Sequence, residues 1–213
     1  MNRSQRRSLS KSKNPTDLAS LAERHRMGGR LGEAERKYRE AIALNPDYLE
    51  AHNNLGNLLQ ATGRIAEATA HLVQAFRINP KDAIVAFNVG VMLGAQHMFK
   101  KAVDFFRTAI ALNPSFADAR AGLAYYLTQL AQYDEAERHY LEALKTNPMH
   151  WQARADFGLA VLDQGKIVEA FEQAEILARA AQEFRHPARA GGLPGWRPAL
   201  LREPSRPRSR RRR

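Results

Sequence analysis

The chain has 213 residues, 44% hydrophobic and 26% charged, with no cysteine, an ordinary globular composition that excludes disulfide scaffolds, thiolate metal sites and thiol catalysis. No run of about eighteen apolar residues is present, so the sequence offers no membrane-spanning helix. The formal charge of +11 belongs to the ends, because residues 15–184 hold 18 basic and 21 acidic side chains, a net charge of −3, and do not read as a nucleic-acid-binding domain.

Residues 1–14 carry five Lys or Arg and no acid. The pair Arg6-Arg7 is followed by Asn14-Pro15-Thr16-Asp17 instead of the apolar stretch that an export signal needs, so this segment is expected as a short solvated basic arm. From Pro15 the chain becomes periodic. Asn-Pro recurs at Asn45-Pro46, Asn79-Pro80, Asn113-Pro114 and Asn147-Pro148, each 34 residues after the last. Taking position 1 as the third residue after each Pro gives units at 15–48, 49–82, 83–116, 117–150 and 151–182. Position 8 is always small (Ala22, Gly56, Gly90, Ala124, Gly158), and position 20 is always Ala (Ala34, Ala68, Ala102, Ala136, Ala170). Position 27 is Ala in the first four units and Leu177 in the fifth; position 32 is Pro in four and Gln182 in the fifth. Apolar residues fall at helical spacing on either side of a turn such as Ala61-Thr62-Gly63-Arg64, so each unit is expected to be two antiparallel helices. Small residues at positions 8 and 20 let them approach, and Tyr38, Leu72, Phe106 and Tyr140 at position 24 fill the space left. Pro at position 32 ends the second helix, and the Asp or Ser that follows is expected to cap the next.

This template resembles the tetratricopeptide repeat. The resemblance covers residues 15–182 and implies an all-α, right-handed solenoid of about five helix pairs with a concave groove, flanked by disordered basic tails. Position 4, often Trp in that family, is Leu18, His52, Ala86, Arg120 and Arg154 here, a tolerated departure.

No catalytic constellation is present. The seven His are scattered and expected as partly exposed helix residues, Gly28-Gly29-Arg30 is a turn and not a phosphate loop, and Glu33/Glu35 and Glu135/Glu137 read as solvated starts of second helices. Neither metal nor cofactor is expected. In the family the first helices line the groove, which makes the candidate peptide-binding residues Asn53, Asn54, Asn57, Phe87, Asn88, Val91 and Tyr125. A primary amide matches one peptide unit with a donor and an acceptor, so Asn54 and Asn88, one repeat apart, are expected as two rungs of a ladder. The stretch Ala51-His52-Asn53-Asn54-Leu55-Gly56-Asn57 is similar to repeats of the O-linked N-acetylglucosamine transferase type, where Asn residues hold polypeptide substrates and a separate domain transfers the sugar. The Lys and Arg slots that chaperone-tail-binding members use as a carboxylate clamp hold no basic residue here.

Residues 183–213 break the pattern with Pro, Gly and Arg, ending in Arg210-Arg211-Arg212-Arg213. Two readings stand: a disordered arm making weak contact with nucleic acid or an anionic surface, or a truncated or out-of-frame remnant of a longer chain. The expectation is a cytoplasmic, non-catalytic scaffold that binds a protein or extended peptide. The alternative is the substrate-binding part of a glycosyltransferase whose catalytic domain is missing from this chain.

Overall fold

The computed structural model describes residues 14–185, with side chains to residue 180; both basic arms lie outside the described residues. Ten helices and no strand make up the described residues. They run α1 Pro15–Met27, α2 Leu31–Leu44, α3 Leu49–Ala61, α4 Ile65–Ile78, α5 Ala83–Ala95, α6 Phe99–Leu112, α7 Ala117–Gln129, α8 Tyr133–Thr146, α9 Trp151–Asp163 and α10 Ile167–Arg185. The last helix continues three residues past the expected end of the array. No described helix is long and apolar enough to cross a membrane.

The Asn-Pro punctuation has a physical cause. The side-chain oxygens of Asn45, Asn79, Asn113 and Asn147 each accept the backbone N–H two residues on, at 3.1–3.2 Å. The Asn thus closes the turn while Pro stops the helix before it. This bond occupies the N–H of Asp47 and of Ser115, and neither residue caps the following helix. Among the residues after these prolines only Asp82, adjacent to α5, caps as an acid should, accepting from Ile84 and Val85 N–H. His150 caps α9 instead, its Nδ1 accepting from Ala153 N–H at 3.2 Å.

Position 4 is more than a tolerated departure. His52 Nε2 lies 2.9 Å from the carbonyl of Pro46, Arg120 Nη2 donates to that of Pro114 at 2.9 Å, and Arg154 Nη2 to that of Pro148 at 3.2 Å. In three units this residue therefore clasps the preceding turn. The role buries His52 to 6% exposure and brings its Nδ1 within 3.0 Å of His71 Nδ1, so His52 is not the partly exposed helix residue expected from sequence.

Within a unit, Ala34, Ala68, Ala102 and Ala136 are completely buried, as are Tyr38, Leu72 and Phe106, with Tyr140 at 1%. A Cβ on Gly56 would sit 2.6 Å from Leu72 Cγ, and one on Gly122 2.7 Å from Phe106 Cε1, so absent methyl groups allow the helices their close approach. Truncating a buried ring such as Phe106 to Ala would cost about 3–5 kcal/mol. Ion pairs join consecutive units: Glu35 to Arg64 at 2.5 Å, Arg107 to Glu135 at 2.9 Å and Glu137 to Lys166 at 2.6 Å. Glu35, Glu135 and Glu137 are therefore bridges between units and not simply solvated faces, while Glu33 pairs with Arg30 inside its own unit.

The backbones of consecutive first helices approach one another along the whole array (α1 with α3, α3 with α5, α5 with α7, α7 with α9), while no two second helices come as close and only side chains such as Arg107 and Glu135 or Phe76 and Phe105 bridge them. First helices crowded together and second helices splayed apart describe a curve with the first helices on its inner side. That placement makes the inner face the groove.

Candidate peptide-binding groove

Asn53, Asn54 and Asn57 stand on α3, Phe87, Asn88 and Val91 on α5, and Tyr125 on α7. All but Tyr125 are half-buried; Tyr125 is 40% exposed. The four amides divide into two kinds. Asn88 Nδ2 donates to Asn53 Oδ1 at 3.0 Å, across the boundary between the second and third units. Asn54 and Asn57 make no side-chain hydrogen bond to any other described residue, and each retains a full set of donors and acceptors. The expected ladder of Asn54 and Asn88 is thus modified: Asn88 shares its amide with Asn53, and Asn57 joins Asn54 as an unengaged group.

Phe87 serves packing at least as much as the groove. Its ring lies 5.7 Å from Phe106 and 5.0 Å from Phe116, and Val91 likewise packs against the core. Tyr125 presents its ring outward, edge-on to Tyr126 at 5.0 Å. Reading the sequence by individual residues passed over Ile84, 59% exposed, and Leu159, 62% exposed, at positions 2 and 9 of the same face. The signal was available in the periodicity, because Leu159 occupies the slot of Asn57, Val91 and Tyr125.

The groove differs electrically from the arms. At positions 2, 5, 6, 9, 12 and 13 of the five units the only Lys or Arg is Arg26. It donates to Glu23 at 2.8 Å, and this hydrogen bond holds the Glu23 carboxyl below its usual range while burial pulls the other way. The Tyr38 hydroxyl also donates to Glu23, at 2.8 Å, and burial followed by this bond pushes the phenol well up. Among the described residues, no group of three or more His, Asp or Glu could hold a metal ion. Two shallow hollows, along α2 at Gly32, Arg36 and Glu40 and beside the turn at Ala131 and Gln132, lie off the inner face and gather no reactive set.

Three models of the tetratricopeptide repeat match residues 23–63, 49–82 and 95–157, together more than half of the chain. The chain is a tetratricopeptide-repeat protein. As such it has many solved neighbours. It is similar to the crystal structure of MamA, with 22% identity, a TM-score of 0.70, and coverage of 80% of this chain and 98% of that one. It is also similar to YrrB, described as a TPR protein with an unusual peptide-binding site, at 18% identity and a TM-score of 0.68, covering 85% of this chain and 98% of that one. PilF of Pseudomonas aeruginosa follows at 17% identity and a TM-score of 0.69, covering 84% and 78%. Comparison with curated proteins gave no match. These matches establish the repeat family and the solenoid fold; they do not extend to the likeness with transferase-type repeats.

Proposed function

We propose that this repeat protein is a non-catalytic interaction scaffold that holds an extended polypeptide along its inner face. The observation that carries the reading is the pair of unengaged amides, Asn54 and Asn57, on the inner side of the curve, with the exposed Tyr125 and Leu159 further along it. An extended peptide brings unpaired N–H and C=O groups at regular intervals, and an amide side chain meets both. Half-buried amides lose little further hydration on binding, so each bond made contributes about 0.5–1.5 kcal/mol net. The description of YrrB as peptide-binding supports the reading by analogy of fold.

A photo-crosslinking amino acid placed at Asn54 tests it. Exposed to a partner peptide, the full chain should crosslink from Asn54 and not from a second-helix site such as Arg36, which is exposed on α2. Equal crosslinking from both sites would remove the groove from the proposal.

A further inference from the structure

Tyr126, at position 10 of the fourth unit, rests its ring on three places of the third. Phe99 at position 17 lies 5.7 Å away, Phe106 at position 24 is stacked at 5.6 Å, and a Cβ on Gly94 at position 12 would collide with the ring. Tyr140, at position 24 of the fourth unit, likewise meets Phe157 on the first helix of the fifth at 5.6 Å. Positions 12, 17 and 24 thus form a seat for a large side chain of the following first helix. Position 21 faces the same boundary, since Glu35 reaches Arg64 and Glu137 reaches Lys166 of the next unit.

In the fifth unit no described residue covers these places. Leu162, Ile167 and Phe171, at positions 12, 17 and 21, are 48%, 69% and 70% exposed, and Ala174 at position 24 is exposed too. The interior of the unit does not call for them. Gln173 fills the place against Gly158, its Cβ 3.3 Å from where a glycine Cβ would stand, and its Oε1 accepts from Arg154 Nη1 at 3.0 Å. Ile167, Phe171, Ala174 and the exposed Ala178 follow at intervals of four, three and four residues, one apolar stripe along α10.

Charge narrows the choice of occupant. At two boundaries position 25 pairs with position 19 of the next unit, Arg39 with Glu67 at 3.6 Å and Arg107 with Glu135 at 2.9 Å. In the fifth unit position 25 is Glu175, exposed beside Glu172, so the complementary charge is reversed. A second copy stacked head to tail would bring Glu33 to that place. It would also set Asp17 and Arg24 at positions 3 and 10, where the four following units hold Ala51 and Leu58, Val85 and Met92, Ala119 and Tyr126, Ala153 and Ala160. Charges pressed onto an apolar stripe lose their hydration without return.

We infer that this face docks an amphipathic helix of a partner protein. One large apolar side chain of that helix seats among Leu162, Ile167 and Ala174, a second lies against Phe171, and lysine or arginine on its flank meets Glu172 and Glu175. The surface is separate from the inner face, so this inference does not rest on the groove reading.

The test is selection of a displayed library of twenty-residue helical peptides on the full chain, followed by anisotropy titration of the best peptide in synthetic form. The selected peptides are expected to carry apolar residues one and two turns apart and more Lys and Arg than acids. Phe171→Ser and Ile167→Ser should each weaken binding about tenfold or more. Both side chains are so exposed that the circular dichroism spectrum and urea midpoint should be preserved. Glu172→Gln with Glu175→Gln should weaken binding about threefold at low salt and less at high salt. Asn54→Ala should leave it unchanged. Peptides that carry no excess of cations, or that ignore the serine variants, would overturn the proposal. Peptides lost with Asn54→Ala would overturn it while leaving the groove reading in place. A dimer in sedimentation that Phe171→Ser dissociates would assign the face to a second copy instead. A red shift of Trp196 emission on Phe171→Ser, read in a Trp151→Phe background without peptide, would assign it to residues 186–213, and either result would overturn the partner helix.

Discussion

Asn88 and Asn53 are joined by a hydrogen bond of 3.0 Å that ties α5 to α3 on the inner face of the curve. The bond gives two neighbouring amides on α3 different roles: Asn53 is already engaged, while Asn54 is not.

Asn54→Ala should therefore reduce peptide affinity about 2- to 12-fold and leave stability unchanged or slightly raised, since Ala is the better helix former. Asn88→Ala should behave differently, because it removes the bond to Asn53 as well. A loss of stability of about 0.5–1.5 kcal/mol is expected, partly offset by helix propensity. Urea unfolding and a peptide titration on both single variants check this. Equal stability losses would show that Asn54 is structural.

The backbone of the turn inside each unit carries a second prediction. Gly29, Gly63 and Gly165 have φ of +72°, +79° and +75°, and the equivalent positions in the third and fourth units are His97 at 58° and Ala131 at 57°. A side chain in this region costs about 1–2 kcal/mol. Ala131 is exposed, so little packing opposes its replacement. Ala131→Gly is expected to stabilise the chain by a net of about 0.5–1 kcal/mol, after the greater freedom of Gly in the unfolded chain is subtracted. His97→Gly should gain less, because the His97 ring contacts Phe99 at 5.7 Å. Thermal unfolding that shows Ala131→Gly to be destabilising would contradict the strain.

The repeat and the helix pairs were legible in the sequence because they follow from period and side-chain size: Asn-Pro every 34 residues, Ala at position 20, and large residues at position 24; the inner face came only with the resemblance to the repeat family. What stayed hidden depends on a partner from another unit. Nothing in Asn53 or Asn88 alone tells that these two amides bond across 35 residues while Asn54 remains unengaged. The clasp of His52, Arg120 and Arg154 on proline carbonyls was equally invisible, since a ring and a guanidinium share no residue class and are united only by reaching the same acceptor.

The glycines of position 8 separate a tight unit from a loose one. A methyl group on Gly56 would meet Leu72 Cγ at 2.6 Å, in a side chain with no exposure, whereas one on Gly158 meets nothing closer than Gln173 Cβ at 3.3 Å. Gly56→Ala should cost about 1–3 kcal/mol of overpacking against a propensity gain of about 1 kcal/mol. Gly158→Ala should be neutral or slightly stabilising, since the fifth unit leaves Val168 and Phe171 70% exposed and has room to adjust. Denaturant midpoints for the two variants should therefore move in different directions or by clearly different amounts.

Buried His52 and half-buried His71 form a pair whose protonation bears on stability. The Pro46 carbonyl can only accept, so His52 Nε2 carries the hydrogen in that 2.9 Å bond; neutral His52 then accepts at Nδ1 from His71 Nδ1–H, 3.0 Å away. The pair has room for one added proton and none for two. Burial, then the field of His52 and that of Arg39, holds His71 below its ordinary value of 6.5; Glu67 opposes these effects and Arg64 adds to them. The folded state thus binds protons less readily than the unfolded chain. Its contribution to stability is full above about pH 6.5, the unfolded value, and is lost as pH falls through the lower folded value. The urea midpoint should drop between pH 7.5 and 5.5, above the range where the paired carboxylates Glu23, Glu35, Glu67 and Glu135, all held low, begin to titrate. His71→Gln, which keeps a donor for His52, should flatten this dependence. A residual slope is expected from His139, which burial also pushes down despite Glu135 beside it. If the variant proves as pH-sensitive as the parent chain, the pair does not govern acid stability in this window and His139 is left as the source.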